Sequence, residues 1–113
     1  MVVLRPWGSY EIIGSGPNYQ VKQLRVKPGQ RLSLQSHRYR SEHWTVVAGG
    51  GEAEIDDKKH VIMIGDHVFI PTGAKHRLHN PDTTLLIIIE VQCGPRIDED
   101  DIIRYADDYG RAA

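Results

Sequence analysis

Short apolar segments alternate with clusters of turn residues along most of this chain. Four of the segments are rich in β-branched or aromatic residues, namely Trp44–Val47, Val61–Ile64, His67–Ile70 and Leu86–Ile89. Glycine, proline, asparagine and aspartate stand between them, and these residues favour turns because glycine permits positive φ and proline fixes φ. Short strands separated by turns every 8 to 12 residues or so are typical of an antiparallel sandwich or barrel. The pattern therefore predicts an all-β domain of about nine strands.

Two local features refine this prediction. The segment Asp56–Lys59 is expected to form the tip of an exposed hairpin. The segment Asp98–Tyr105 begins with acidic residues and has Arg104 near its end, which favours a helical turn or two. The alternative for this segment is a solvated acidic tail.

We predict a single domain over the whole 113-residue chain (1–113), with a core at about residues 20–93 and a short helical tail at 94–113.

Composition narrows the range of partners. The 14 basic and 15 acidic residues give a formal net charge of -1, so no overall field would attract nucleic acid or anionic lipid. Cys93 is the only cysteine in the sequence, which excludes an intrachain disulfide and fits a reducing compartment. No apolar run approaches the ~20 residues that span a bilayer, and the first residues do not resemble a signal peptide. We expect a cytoplasmic protein without nucleic-acid or membrane partners.

Three side chains that can bind metal fall within the eight residues from Gln35 to Glu42. Alternation along a strand places Gln35 and His37 on one face, and Glu42 can return beside them on the next strand. His76 follows a Pro-x-Gly turn and is the fourth candidate ligand. Amide, imidazole and carboxylate donors suit Zn, Mn, Fe, Co or Ni, and four such ligands leave a position for water or substrate. The sequence predicts one divalent metal ion, with zinc favoured.

The spacing of these residues resembles the two metal motifs of the cupin superfamily. The first motif is matched by Gly29, Gln35, His37, Glu42 and Gly49. The second motif is matched by Gly65, Pro71, Gly73, His76 and Asn80. Gln35 stands where the first motif has its first histidine. The resemblance implies the cupin double-stranded β-helix, which is a jelly-roll sandwich or barrel.

A closer resemblance extends over nearly the whole chain. It is carried by Arg5–Gly8, Lys27–Gln35, Arg40–Trp44, Ile70–His76, Glu90–Gln92, Glu99–Ile102 and Asp108–Arg111. Together these segments resemble the C-terminal domain of type II mannose-6-phosphate isomerases, in which the cupin is usually fused to a mannose-1-phosphate guanylyltransferase. No glycine-rich nucleotide loop precedes Arg5, so we expect a free-standing domain without transferase activity. The segment Pro95–Asp98 also departs from the family, which has Tyr-Leu-Gly there.

The resemblance implies a metal-dependent isomerase that interconverts mannose 6-phosphate and fructose 6-phosphate through a cis-enediol, within GDP-mannose and polysaccharide biosynthesis. Such an enzyme needs an electrophile, a base and a cation for the phosphate. The metal would be the electrophile. Lys75 and Glu90 are the candidates for the base.

Cations near the expected metal ligands are the candidates for phosphate binding. Arg31 is expected to share the face of Gln35, Arg40 lies two residues before Glu42, and Lys75 precedes His76. A bidentate arginine would hold the phosphate best. Arg77 is less favoured, because alternation should turn it away if His76 points inward.

Three other functions remain open. The first is a non-catalytic cupin that binds a sugar phosphate or a nucleotide sugar. The second is an Fe(II) dioxygenase, against which Gln35 argues because three histidines and one glutamate normally hold that metal. The third is a structural, dimerising sandwich with an empty pocket.

Partners are predicted as well. Val2, Val3 and the run Leu85–Ile89 supply apolar surface for a homodimer, which would also cover an exposed edge strand. We expect a small-molecule sugar phosphate as the ligand, a homodimer as the assembly, and a separate guanylyltransferase chain as a further partner.

Overall fold

The computed structural model describes residues 1–111, and the end of the predicted tail at residues 112–113 lies outside that range. Within it every regular element is a β-strand, and no helix is long and apolar enough to cross a membrane. The strands are β1 (Val2–Arg5), β2 (Gly8–Gly16), β3 (Tyr19–Val26), β4 (Leu34–Ser36), β5 (Ser41–Ala48), β6 (Gly50–Ile55), β7 (Lys58–Met63), β8 (His67–Ile70), β9 (His76–His79), β10 (Leu86–Cys93) and β11 (Ile103–Ala106).

The strands form two antiparallel sheets that face each other. The six-stranded sheet has the order β1, β2, β3, β10, β5, β8, and the five-stranded sheet has the order β11, β4, β9, β6, β7. The predicted all-β sandwich is confirmed. Eleven strands are present among the described residues rather than about nine, because short pairings such as β11 with β4 were not visible in the pattern.

The hydrophobic core lies between the sheets. Trp44, Leu86 and Ile88 from the six-stranded sheet pack against residues of the other sheet such as Leu78, and each of them is at most 2% exposed. The core also contains Trp7, which precedes the expected core boundary at residue 20. Tyr10 on β2 also belongs to the core, and Val3 on β1 packs against it, so both strands are part of the sandwich.

The inward-facing residues of β10 change from aliphatic to polar along the strand. Its alternate residues Leu86, Ile88, Glu90 and Gln92 are all buried, as a period of two requires for a central strand. The first two are aliphatic and the last two are polar. The core therefore gives way to a polar pocket at one end of the sandwich.

The predicted hairpin at Asp56–Lys59 is confirmed. β6 and β7 pair with Ile55 opposite Lys58, and the two residues between them, Asp56 and Asp57, have φ values of 46° and 69°. Two successive residues with positive φ suit a two-residue hairpin, because their backbone twist matches that of the strands.

The predicted helical turn in Asp98–Tyr105 is wrong. The Oδ1 atom of Asp98 accepts main-chain hydrogen bonds from Asp100 and Asp101 at 2.9 and 3.0 Å, so the acidic residues form a capped turn. The following residues, Ile103–Ala106, form β11 and pair with β4. The edge of β4 offers main-chain partners that a short isolated helix could not supply.

Candidate metal centre

Three metal-capable side chains converge at the polar end of the sandwich. His37 follows β4, Glu42 lies on β5 and His76 begins β9, and all three are at most 3% exposed. The Nε2 atom of His37 lies 3.1 Å from Oε2 of Glu42, and the Nε2 atom of His76 lies 3.6 Å from Oε1 of the same carboxylate. One donor atom from each residue lies within 4.8 Å of the other two. Residues on β5 and β9 and just after β4 thus form a compact set of ligand atoms.

Main-chain carbonyl groups hold both histidine rings. The Nδ1 atom of His37 lies 2.6 Å from the oxygen of Asp101, and the Nδ1 atom of His76 lies 3.0 Å from the oxygen of Ala74. A carbonyl oxygen can only accept, so each Nδ1 carries a proton and each ring turns its Nε2 towards Glu42. Metal-binding histidines are typically held in this way. The donor set therefore fits a divalent cation.

Gln35 completes the predicted set from β4. It lies directly opposite His76 in the pairing of β4 with β9, and it lines the same pocket as Glu42. Its amide nitrogen lies 3.1 Å from Oγ of Ser33. Because the nitrogen is engaged there, the amide oxygen is the atom available to a cation.

Two buried carboxyl groups, Glu42 and Glu90, share one donor. The Nε1 atom of Trp44 donates to both of them, at 3.0 and 3.1 Å. Burial and the charge of Glu42 raise the pKa of Glu90 well above its usual value. Burial acts to raise the pKa of Glu42 as well, but its hydrogen bond with His37 and the nearby histidines hold that pKa well below the usual value. Of the two carboxyl groups, Glu42 therefore loses its proton first, and Glu90 holds its proton to a higher pH.

His76 is suited to stay neutral. Burial lowers its pKa, although the neighbouring charge of Glu42 acts in the opposite direction. A neutral imidazole is the form that binds metal, so the ring is ready to act as a ligand over a wider pH range than an exposed histidine would be.

Arg40 lies against the same ligand atoms. Its Nε donates to Oε2 of Glu42 at 3.1 Å, and one terminal nitrogen lies 3.3 Å from Nε2 of His37. The other terminal nitrogen donates to the main-chain oxygen of Asp98 at 3.2 Å. A cation bound by His37 would replace the contact between Arg40 and that ring. The contacts with Glu42 and Asp98 could still hold the guanidinium beside the site.

Arg31, which was predicted to bind substrate, lies outside the pocket. It forms an ion pair with Asp108 at 2.7 Å and lines a separate cavity that also contains Glu54. The expectation that Arg31 shares the face of Gln35 is wrong, because Arg31 pairs with His79 through an isolated bridge and β4 does not begin until Leu34. Strict alternation does not continue through the irregular residues between them.

Lys75 is also turned away from the pocket. It is exposed, and its Nζ atom lies 4.3 Å above the ring of Tyr105. Arg77 faces away from the pocket as alternation predicted, because its Nε donates to the main-chain oxygen of Leu32 at 2.9 Å. Of the three residues predicted to bind the phosphate, the pocket contains Arg40.

Comparison with known proteins identifies the family. Residues 1–107 match the family model described as mannose-6-phosphate isomerase C-terminal. The chain belongs to this family. It is 50% identical over 111 residues to the alginate biosynthesis protein AlgA of Pseudomonas aeruginosa, with 98% of this chain and 23% of that protein covered. It is 48% identical over 109 residues to the mannose-1-phosphate guanylyltransferase of Escherichia coli, with 96% and 23% covered.

The chain spans about a quarter of the length of these curated relatives. Among solved structures, a cupin-2 domain from Rhodospirillum rubrum superposes with a TM-score of 0.72 at 20% identity, covering 82% of this chain and 67% of that one. At that identity the similarity shows the fold, and it confirms the predicted cupin architecture.

This member of the mannose-6-phosphate isomerase C-terminal family has pocket residues that the sequence reasoning did not identify. They include Lys22 on β3, and Glu99, Ile102 and Arg104 from the tail. A signal for Lys22 was present, because it continues the alternate inward series of Leu24 and Val26. The tail residues gave no such signal, since their position depends on the pairing of β11 with β4.

Proposed function

We propose that this chain is a metal-dependent isomerase that interconverts mannose 6-phosphate and fructose 6-phosphate. The proposal depends chiefly on the convergence of His37, Glu42 and His76 next to a pocket that contains a further buried carboxyl group, Glu90. Family membership supports the substrate class. The full activity of the longer relatives, including their substrates and partners, enters here only as part of the proposal.

A divalent cation held by Gln35, His37, Glu42 and His76 would supply a Lewis acid that stabilises negative charge on the oxygen atoms of the sugar. Zinc is favoured, and Mn, Co, Ni or Fe would suit the same donors. The protein orients these donors through main-chain carbonyl groups, as described for His37 and His76.

Glu90 is our candidate for the group that moves the proton. Trp44 and Gln92 fix its carboxyl group with hydrogen bonds of 3.1 and 2.9 Å. As a carboxylate, Glu90 would take the proton from C2 of mannose 6-phosphate while O1 gains a proton, which produces the cis-enediol. It would then return a proton to C1 while the hydroxyl group at C2 loses its own, which produces fructose 6-phosphate. Lys75, the other candidate base, is less suited because it lies outside the pocket.

Turnover assays test this proposal directly. The purified protein is stripped with a chelator and reloaded with Zn, Mn or Co, and the formation of fructose 6-phosphate from mannose 6-phosphate is followed. We expect metal-dependent turnover, with a loss of at least ~100-fold in Glu90→Gln. A protein that binds metal but produces no fructose 6-phosphate with any of them would refute the isomerase proposal.

The second candidate function is binding of a sugar phosphate without turnover. The contact between Arg40 and Nε2 of His37 favours it, because the guanidinium already occupies a donor atom that a metal would need. Retained binding of mannose 6-phosphate without turnover would support this alternative. A dioxygenase is disfavoured by Gln35, and we expect no oxygen uptake after loading with Fe(II).

Further proposals concern location and assembly. We propose a cytoplasmic homodimer that also binds a separate guanylyltransferase chain. Val2 on the edge strand β1 is 55% exposed, while Leu86 and Ile88 of the predicted apolar run are buried in the core of the chain itself. The alternate residues Ile87 and Ile89 are the half-buried, outward part of that run. Light scattering would measure the mass in solution, and a monomer at micromolar concentration would contradict the dimer.

A further inference from the structure

The pocket beside the metal centre contains more cationic than carboxyl side chains. The cationic residues that line it are Arg5, Lys22, Arg40, Arg104 and Arg111. The carboxyl residues that line it are Glu42, Glu90 and Glu99. An excess of positive charge in a concave, partly enclosed site attracts anions. The pocket is therefore suited to an anionic ligand.

Most of these cations already have partners within the protein. The pairs are Arg5 with Tyr10, Lys22 with Glu99, Arg40 with Glu42, and Arg111 with Asp107. Arg104 differs from them. Its Nε atom is buried and has no hydrogen-bond partner among residues 1–111, and no ion pair involves its guanidinium within that range. A buried donor without a partner is uncommon in native proteins and requires an explanation.

The position of Arg104 supplies that explanation. Arg104 on β11 lies opposite Gln35 on β4, and Gln35 lies opposite His76 on β9. Residues that are opposite in antiparallel strands project from the same face of the sheet. The neighbouring Tyr105 projects from the other face, where its hydroxyl group lies 2.9 Å from Oγ of Ser36. Arg104 thus lies next to the candidate metal ligands, on the pocket side.

We propose that Arg104 binds the phosphate group of the substrate, and this inference depends on the sugar-phosphate ligand proposed above. A guanidinium presents a planar fork of N–H donors that matches two phosphate oxygens, and phosphate would satisfy the unpaired Nε. Arg40 is less suited to this role because Glu42 and Asp98 already occupy its donors. The tail that carries Arg104 therefore forms part of the ligand site and does not merely cover the sandwich.

Binding measurements on three variants test the role of Arg104. Calorimetric titrations with mannose 6-phosphate, inorganic phosphate and unphosphorylated mannose would compare the wild type with Arg104→Gln, Arg104→Lys and the control Arg25→Gln. Arg25 is exposed on β3 and bonds only to Gln23 among the described residues. We expect Arg104→Gln to weaken mannose 6-phosphate binding by roughly 10- to 100-fold, since a charged hydrogen-bonding group is lost. The affinity of Arg104→Lys for mannose 6-phosphate should lie between those of the wild type and Arg104→Gln. The affinity of Arg25→Gln should match that of the wild type.

The phosphate dependence separates Arg104 from a general effect on the pocket. Any affinity for mannose should be the same in the wild type and Arg104→Gln, whereas the affinity for inorganic phosphate should fall with that for mannose 6-phosphate. Equal affinity of both proteins for the phosphorylated ligands would overturn the proposal. So would a wild type that binds neither mannose 6-phosphate nor inorganic phosphate.

The outcome also distinguishes this inference from the isomerase proposal. Binding of phosphate that depends on Arg104, without turnover, would support the subsite and refute the isomerase. Turnover with an unchanged KM in Arg104→Gln would support the isomerase and refute the role of Arg104 in phosphate binding. Thermal unfolding of Arg104→Gln should occur at the wild-type temperature or above it, because an unpaired buried donor is removed. If that variant fails to fold, Arg104→Lys decides the question through its weaker binding of phosphate.

Discussion

The Nδ1 atom of His37 lies 2.6 Å from the main-chain oxygen of Asp101, so a residue of the C-terminal tail fixes the orientation of a candidate metal ligand. The carboxylate of Asp101 also accepts main-chain hydrogen bonds from Arg38 and Tyr39, at 2.8 and 3.0 Å. One aspartate thus holds both the imidazole and the turn that leads from His37 to Glu42. The tail is therefore a structural part of the metal centre.

Replacement of Asp101 by alanine should weaken both stability and metal binding. The side chain supplies two charged hydrogen bonds to the main chain in a 5% exposed position, so we expect a loss of about 2 to 4 kcal/mol in the free energy of unfolding. Disturbed support of a ligand histidine typically reduces metal affinity by about 10- to 100-fold. Urea denaturation and titration with Zn measure the two effects. The matched control is Asp100→Ala, whose side chain is exposed. Equal metal affinities in the two variants would contradict a role for Asp101 in positioning His37.

Loss of either histidine ligand should weaken metal binding by at least about tenfold. We expect wild-type protein to bind one Zn ion per chain, and His37→Ala or His76→Ala to retain less than about a tenth of that affinity. Gln35→Ala should have a smaller effect, because a neutral amide oxygen is a weaker ligand than imidazole. Elemental analysis after gel filtration measures the bound metal. His43→Ala is a suitable control, since His43 is paired with His67 at 3.0 Å away from these ligands. Binding that survives in both ligand variants would place the metal elsewhere.

The strands and the proximity of His37 to Glu42 were predictable because both depend on local spacing. A single turn returns Glu42 to His37, so no long-range information was needed for that pair. His76 lies far along the chain on β9, and it was inferred from its resemblance to the second cupin motif. The tail required long-range information. Acidic residues suit a helix start and a capped turn equally well, and the choice was decided by the free edge of β4. The role of Arg104 in the pocket depends on the same pairing, so it could not be inferred from the sequence.

Glu99 should hold the tail over the pocket. It forms an ion pair with Lys22, whose side chain is 6% exposed on β3. Replacement by glutamine removes the countercharge of a buried ammonium group, which is costly. The ring of Tyr10, whose centroid lies 4.3 Å from Nζ of Lys22, would offset only part of that loss. We expect Glu99→Gln to increase amide hydrogen exchange in residues 98–106 relative to the rest of the sandwich. The control Arg96→Gln removes an exposed ion pair with Asp98 in the same segment and should have little effect. Unchanged exchange in Glu99→Gln would show that other contacts suffice to hold the tail.

Glu90 links the proposed chemistry to the pH dependence of stability. Burial and the charge of Glu42 raise the pKa of Glu90 in the folded protein, so its carboxyl group keeps a proton that the unfolded chain would release. The contribution of protonated Glu90 to the free energy of unfolding is fully present below the ordinary glutamate pKa. It decreases as the pH rises towards the raised pKa of Glu90 in the folded protein. The maximum slope for one proton is ~1.4 kcal/mol per pH unit. Glu90→Gln cannot release a proton, and its amide oxygen can still accept from Trp44. We therefore expect this variant to lose the downward slope that begins above the ordinary glutamate pKa, and to be more stable than the wild type once the pH exceeds the raised pKa of Glu90.

Urea denaturation of the metal-free protein across this range would measure the slope. Glu11→Gln is the control, because the side chain of Glu11 is 41% exposed and, within residues 1–111, its one ion pair is with the N-terminal amine. A slope that is identical in the wild type and Glu90→Gln would show that Glu90 titrates in the same way in the folded and unfolded states. The variant should also lack isomerase activity when it is loaded with metal. Greater stability together with lost turnover is the combination expected of a buried group that is retained for chemistry rather than for the fold.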